Sequence, residues 1–247
     1  MIIKVIYFDE GSATDYIYIS EGGKSEEKKD NIVKKSTSLV AKAEAKAEAK
    51  FKILSFFNAS ASAEMAVAAD REGNTIVSKA ISNTILTDYL TLFESQSNDK
   101  NIVKFNDCLL YPYPESFAFY KMITPYMIMT EGKVDIGSDM KINIALMDKA
   151  LESGRGYYEL IAENNGTKSV LRFNIKAFRN NYSISDLAKM RLCYHAVEVG
   201  SVPEQNLTMQ SEFSQFNKSI TGYDIMAQGK QTTEIKVYDV ILAGVDK

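Results

Sequence analysis

The sequence predicts an α+β protein, and three patterns in its 247 residues support that class. Two runs of alternating apolar and polar residues flank Asn165-Gly166, and this dipeptide is the strongest short signal for a two-residue β-hairpin. Apolar runs at 191–202 and 233–245 are typical of two further strands. Apolar residues recur at helical spacing over about 76–95. We therefore expect a C-terminal mixed sheet with helices, preceded by an N-terminal strand and helix.

Local signals place the remaining elements. The run from Ile2 to Phe8 is apolar enough for a buried strand, and Ser12 is placed as the N-cap of a helix over about 13–20. The stretch at 105–129 is rich in proline and aromatic residues, and it is predicted to be irregular but well packed. A further helix, capped by Ser138, is expected to end just before a glycine, Gly154.

The chain is expected to divide near residue 97. The N-terminal region, 1–97, contains a highly charged stretch at 24–38, which is interpreted as a solvated linker or an exposed helix end. A low-complexity segment follows at about 39–70, and we predict that it drives oligomerisation or acts on a membrane. The C-terminal region, 98–247, is predicted to be an α+β ligand-binding domain.

The low-complexity segment alternates with a period of two. Between Ala41 and Ile53 every second residue is apolar and the others are charged, and the alternation resumes from Ala59 to Ala69. A helix would place like charges four residues apart, and a strand would be built from residues of poor β propensity. A membrane-inserting hairpin, a helix that packs on copies of itself, and a surface insertion all remain open. The side chains assigned to membrane or subunit contact are Ala43, Ala47, Phe51, Ile53, Leu54, Phe56 and Phe57.

Composition and charge exclude several classes of protein. The net charge of −3 gives no overall attraction to nucleic acid. The two cysteines lack a CxxC spacing, which excludes a disulfide scaffold and a cysteine-based zinc site. The N-terminus lacks the long apolar region of a cleavable signal, and no run of eighteen apolar residues occurs. A cytoplasmic protein is expected, with inner-membrane association through the low-complexity segment.

A basic and aromatic patch in the C-terminal region is the predicted ligand site. Arginine can form forked hydrogen bonds with phosphate, and aromatic rings can stack on bases. The same pattern also describes a sheet with one solvated face, so an ordinary charged surface is the alternative. The residues assigned to ligand binding are Arg172, Lys176, Arg179, Arg191, Tyr194 and His195.

Catalytic chemistry has three weaker candidates, and no catalytic residue, metal ligand or cofactor is assigned. Asp224, Glu234 and Lys236 have the order found in metal-dependent nucleases, where two carboxylates hold Mg²⁺ and a lysine steadies the attacking water. A solvated strand face explains the glutamate and the lysine equally well.

The other two candidates depend on pairs or clusters of side chains. Cys193 and His195 are two residues apart and would share one face of a strand, as a nucleophile and its base require. No glycine elbow accompanies them. The acids Asp9, Glu10 and Asp15 follow a strand, but helix capping and the helix dipole already account for Ser12 and Asp15.

The N-terminal motifs resemble those of a known bacterial family. The stretches VIYFDEGSATDYIYISEGG and ISNTILTDYL, separated by a segment biased toward small residues, are similar to an uncharacterised domain-of-unknown-function family. The resemblance covers about residues 3–95 and includes no catalytic motif. It implies an accessory or effector component of a phage-defence operon, with an operon partner protein.

Taken with the resemblance, the sequence favours an oligomeric, membrane-associated effector of channel or pore type. Its C-terminal domain would bind a regulatory anionic nucleotide or oligonucleotide. A soluble scaffold or adaptor is the alternative function, and a metal-dependent nuclease is the third.

Overall fold

The structure of the chain is a computed structural model. It describes residues 2–20, 34–35, 71–95, 101–106, 108–127, 133–135, 141–154, 156–164, 166–211 and 234–246. The predictions for the segment at 39–70, with its seven assigned side chains, and for Asp224 lie outside these residues. The chain forms two compact units: Met1–Asp9 together with Lys100–Lys247, which we name the sheet unit, and Glu10–Asp99, the helical unit.

The described elements confirm the α+β class. The strands are β1 (Ile2–Phe8), β2 (Ile102–Phe105), β3 (Leu109–Tyr111), β4 (Lys133–Asp135), β5 (Lys141–Asn143), β6 (Tyr157–Asn164), β7 (Thr167–Asn174), β8 (Cys193–Pro203) and β9 (Glu234–Asp246). The helices are α1 (Glu10–Ser20), α2 (Arg71–Ser95), α3 (Phe117–Met127), α4 (Ile144–Gly154) and α5 (Ile184–Leu187), with a 3-10 turn at Glu204–Leu207.

A seven-stranded mixed sheet organises the sheet unit. Its order is β2-β8-β9-β7-β6-β3, and β1 pairs with the C-terminal half of β9. The β7–β9 pair is parallel, whereas the other pairs described in this sheet are antiparallel. The central strand β9 therefore joins the N-terminal strand to the β6–β7 hairpin. The strands β4 and β5 form a separate two-stranded sheet.

Two glycines permit the turns and close approaches of this sheet. The predicted hairpin is confirmed, because Asn164 pairs with Thr167 and Gly166 has the left-handed φ of 77° that such a turn requires. At Gly244 on β9, a Cβ atom would lie 2.4 Å from the carbonyl oxygen of Lys4 on β1. Only glycine allows these two strands to approach so closely.

The main core covers one face of the sheet. Leu171 and Phe173 of β7 lie there beside Tyr158 and Leu160 of β6, and they pack against buried residues of α3 and α5. Because successive side chains of a strand point to opposite faces, the residues between them belong to the other face. That second face has its own smaller apolar cluster, centred on Ile161, Val170, Leu207, Ile235 and Val237.

The helical unit pairs α1 with α2. The ring of Tyr16 on α1 meets the ring of Tyr89 on α2 edge to face, with centroids 5.8 Å apart. Ala13, Tyr16 and Ile17 are buried on α1, and Ile85 and Tyr89 are buried on α2. Aromatic contacts of this geometry add to the free energy gained by burial.

Three local predictions differ from the structure. Helix α1 begins at Glu10, so Ser12 lies in its first turn and is not the N-cap. The helix predicted to follow Ser138 begins only at Ile144, because 141–143 pairs with 133–135 as a strand. The stretch predicted to be irregular contains α3, whose start is marked by Ser116: its Oγ accepts a hydrogen bond from the Phe119 N–H at 3.1 Å.

Candidate functional site

A charged row crosses three neighbouring strands on the second face of the sheet. Glu159 of β6 is paired in register with Arg172 of β7, which is paired in turn with Asp239 of β9. The Arg172 Nε donates a hydrogen bond of 2.6 Å to Asp239 Oδ1, and its Nη2 donates one of 3.0 Å to Oδ2. This forked geometry is the strongest arrangement open to an arginine and a carboxylate. Arg172 is thus already bound within the fold.

Tyr157 lies beside this row, two residues before Glu159 on β6. The guanidinium carbon of Arg172 lies 5.2 Å from the centre of the Tyr157 ring, a cation–π contact. Burial raises the pKa of the Tyr157 hydroxyl, and the nearby carboxylates of Asp9 and Asp239 raise it further. The hydroxyl therefore stays protonated and available as a hydrogen-bond donor, while the side chain remains 37% exposed.

Asn174 fixes the turn that follows β7. Its backbone N–H donates to the Tyr7 hydroxyl oxygen at 2.8 Å, and its Nδ2 donates to Asp9 Oδ2 at 3.2 Å. Its Oδ1 accepts the backbone N–H of Lys176 at 3.1 Å, as in an Asx turn. Tyr7 of β1 and Asp9, just after that strand, thereby determine where Lys176 lies, although they are more than 160 positions away in the chain.

The segment after this turn is held along β1 by backbone bonds. The Phe8 N–H donates to the Ala177 carbonyl at 2.9 Å, and the Arg179 N–H donates to the Ile6 carbonyl at 2.8 Å. On the other side of the turn, the Ile175 N–H donates to Gly156 at 3.0 Å. The turn is therefore tied to both the start of β6 and the first strand of the chain.

An open cavity of about 590 Å³ lies between this turn and the last turn of α4. Its volume is within the range of small-molecule sites. It is lined by Ser153, Gly154, Gly156, Tyr157, Asn174, Ile175 and Lys176. The Lys176 ammonium forms no ion pair with another residue among those that the structure describes, so its charge is open to a ligand.

The predicted basic patch is not assembled as one surface. Arg172 is paired with Asp239, and the guanidinium of Arg179 lies 5.6 Å from the centre of the Phe8 ring. Arg191 is exposed on the loop before β8 but does not line the cavity. Among the six predicted ligand residues, Lys176 is the one that lines the cavity.

The two predicted ligand residues on β8 are buried. Tyr194 is 0% exposed in the main core, and His195 is 2% exposed. Because consecutive residues of a strand point to opposite faces, these side chains cannot share one binding surface. A ligand at the surface of this structure reaches neither of them.

Cys193 and His195 share a face of β8, as predicted from their spacing, but their ionisation disfavours a nucleophilic pair. Burial raises the pKa of the Cys193 thiol to about 11, despite the opposing effect of the Lys104 ammonium. Burial lowers the pKa of His195 to about 4, and Lys104 lowers it further. A neutral thiol beside a neutral imidazole lacks the thiolate on which such catalysis depends.

The Lys104 side chain, which lowers both pKa values, forms an ion pair with Asp246. Its Nζ lies 2.6 Å from Asp246 Oδ2, and this hydrogen bond is the largest cause of the lowered pKa of the Asp246 carboxyl.

Two of the proposed nuclease residues form cross-strand pairs. Lys236 Nζ lies 2.9 Å from Glu198 Oε2, and Ser201 Oγ donates a hydrogen bond to Glu234. Within the part of the chain that the structure describes, no group of three or more His, Cys, Asp or Glu side chains could hold a metal ion. Both side chains are exposed on a ribbon formed by β8 and β9.

Comparison with known proteins identifies the family. Residues 2–245 match the model described as Domain of unknown function (DUF6414). The chain belongs to the DUF6414 family. No curated protein and no solved structure matches it. The family match covers almost the whole chain, so the sheet unit and the helical unit both belong to the DUF6414 domain.

Most residues of the cavity in this DUF6414 protein are not predicted as functional residues from the sequence. Tyr157 and Asn174 belong to the predicted hairpin without a functional role, and Asp9 is one of the three acids considered after the first strand. The sequence does contain one signal that could have brought these two residues together. A two-residue turn at Asn165-Gly166 makes Tyr157 and Asn174 direct cross-strand partners at the open end of the hairpin.

Proposed function

We propose that this DUF6414 protein is an oligomeric, membrane-associated effector whose sheet unit binds an anionic nucleotide-type ligand that regulates it. The cavity between α4 and the β7 turn carries this proposal, because it places Lys176, which has no ion-pair partner among the described residues, beside an aromatic ring. A lysine and a tyrosine at such positions suit an acidic group attached to a planar ring. A role in anti-phage defence rests on the resemblance of the N-terminal motifs alone.

The membrane part of the proposal rests on the sequence of the segment at 39–70. Each arm of its alternation is long enough for a tilted strand to cross a bilayer, and the tip LSFFN between the arms is apolar. Among the described residues, no helix has both the length and the apolar composition needed to span a membrane.

Deleting residues 41–70 tests this assignment. We expect the full chain to float with vesicles of phosphatidylethanolamine and phosphatidylglycerol and to sediment as an oligomer, whereas the deletion variant does neither. A deletion of residues 24–38 is the control, because it removes a charged stretch without the alternating pattern. Equal flotation and equal mass for the full chain and the 41–70 deletion would remove the segment from the proposal.

A scaffold or adaptor protein is the second candidate. Tyr126 on α3 and Leu146 on α4 are 63% and 60% exposed, and apolar side chains of this kind are used in protein interfaces. This candidate predicts that the full chain stays out of the vesicle fraction and forms a stable complex with another protein. Flotation of the full chain would count against it.

A further inference from the structure

The cavity of the sheet unit has a charge balance that narrows the chemistry of its ligand. Among the residues that the structure describes, Lys176 and Arg172 are the cations on or next to its walls, and Arg172 is held by Asp239. The carboxylates of Asp9 and Glu159 lie nearby: Asp9 accepts a hydrogen bond from Asn174, and Glu159 is the cross-strand neighbour of Arg172. Within the described part of the chain, Lys176 is thus the cation of this cavity that no carboxylate holds, and two acids lie near it.

Two walls of the cavity offer different contacts to a ligand: an aromatic ring on β6 and backbone carbonyls at the end of α4. The Tyr157 ring is partly exposed and offers an aromatic surface, with a hydroxyl that stays protonated. Ser153 and Gly154 belong to the last turn of α4, where backbone carbonyls have no donor within the helix. Those carbonyls carry the negative end of the helix dipole and accept hydrogen bonds from N–H or O–H groups.

We propose that the cavity binds a compact planar molecule that carries one acidic group, with the ring on Tyr157 and the acid on Lys176. Amino or hydroxyl groups of the ring would donate to the carbonyls at the end of α4. A nucleoside monophosphate has this chemistry, and so does an aromatic carboxylate. Chains of phosphates fit poorly, because Asp9, Glu159 and the end of α4 repel additional negative charge.

Asn174 is the positioning residue of this site. Its Oδ1 holds the backbone of Lys176, while Tyr7 and Asp9 hold Asn174 itself. The lysine is therefore carried by a turn whose position is set before the ligand arrives, which lowers the entropic cost of binding.

Calorimetric titration of the full chain tests the proposal with five probes. AMP supplies both the ring and a single phosphate, adenosine lacks the acid, and ribose 5-phosphate lacks the ring. ATP and an oligoadenylate add further phosphates. We expect AMP to bind about tenfold more tightly than each of the other four probes, because each of them loses one favourable contact or adds repulsion.

Two variants and one control locate the binding. Lys176→Glu is expected to weaken AMP binding at least about tenfold, and Tyr157→Leu about tenfold through the lost stacking. Arg191→Ala removes an exposed positive charge that does not line the cavity, and it should leave AMP binding unchanged. Lys176 is exposed, so its replacement is not expected to impair folding.

This inference rests on the proposed function, and the outcomes of these titrations show which of the two has failed. If ATP or the oligoadenylate binds more tightly than AMP and Lys176→Glu abolishes that binding, the inference about ligand class is overturned and the anionic-ligand function stands. If AMP binding survives Lys176→Glu but falls with Arg191→Ala, the ligand binds elsewhere on the protein, and the assignment of the ligand to this cavity is overturned. If none of the four anionic probes binds, both proposals fail.

Discussion

Lowering the pH from 7.5 to 5.0 is expected to reduce the free energy of unfolding by about 2 kcal/mol through His195 alone. Burial lowers the pKa of this imidazole from 6.5 to about 4. It is the single histidine of the chain, so no other histidine contributes in this pH range. Urea unfolding at pH 7.5, 6.5, 5.5 and 5.0 measures the effect.

The sign follows from which state binds the proton. In the unfolded chain His195 accepts a proton near pH 6.5, whereas in the folded chain burial and the neighbouring Lys104 keep it neutral until about pH 4. The stabilisation is therefore complete above pH 6.5 and is lost as the pH falls toward 4. Asp246 opposes this lowering of the pKa, because its carboxylate favours the protonated imidazole. Its influence is smaller than that of burial and of Lys104, so the pKa of His195 stays low.

His195→Gln is the control for this prediction. Glutamine keeps a polar side chain of similar size at the buried position but does not titrate. The variant is expected to lose stability at every pH, while its loss between pH 7.5 and 5.0 becomes much smaller than that of the wild type. Equal losses in the two proteins over this range would show that His195 is not the titrating group.

Replacing Tyr7 by phenylalanine is expected to lower the free energy of unfolding by about 1–3 kcal/mol. The Tyr7 hydroxyl accepts the backbone N–H of Asn174 at 2.8 Å, and Tyr7 is 0% exposed. Phenylalanine would leave this N–H without its acceptor, and the cost of an unsatisfied buried donor exceeds the net gain of an ordinary hydrogen bond. Chemical unfolding with urea measures the change.

Tyr194→Phe is the matched control, because it removes the same oxygen from the same core. The Tyr194 hydroxyl is buried and has no hydrogen-bond partner among the described residues. We expect the free energy of unfolding of Tyr194→Phe to be unchanged or raised, since an unsatisfied polar group is removed. Similar destabilisation by the two substitutions would contradict the role assigned to the Tyr7 hydroxyl.

Much of the sheet was predictable because its signals are local. The turn at Asn165-Gly166 determines which residues of β6 and β7 face each other, and a φ of 77° at Gly166 follows from the turn type. The strands at Cys193–Pro203 and Glu234–Asp246 were also predicted from their apolar patterns. The parallel pairing of β7 with β9 was not predicted, because no short-range pattern specifies it.

The candidate site was hard to predict because its contacts are distant in sequence. Arg172 was assigned to ligand binding because nothing local showed that Asp239 would bind it across β9. Tyr194 and His195 were grouped with the patch although neighbouring strand residues point to opposite faces. Asn174 gains its role only when β1 brings Tyr7 and Asp9 beside it.

Dye release from vesicles tests most directly whether a ligand on the sheet unit controls action at a membrane. The full chain would be added to vesicles of phosphatidylethanolamine and phosphatidylglycerol, with and without AMP, ATP or an oligoadenylate. We predict that a nucleotide that binds wild type also increases dye release, and that neither Lys176→Glu nor the 41–70 deletion responds. Dye release that is the same with and without every nucleotide, or the same in all three proteins, would contradict this account.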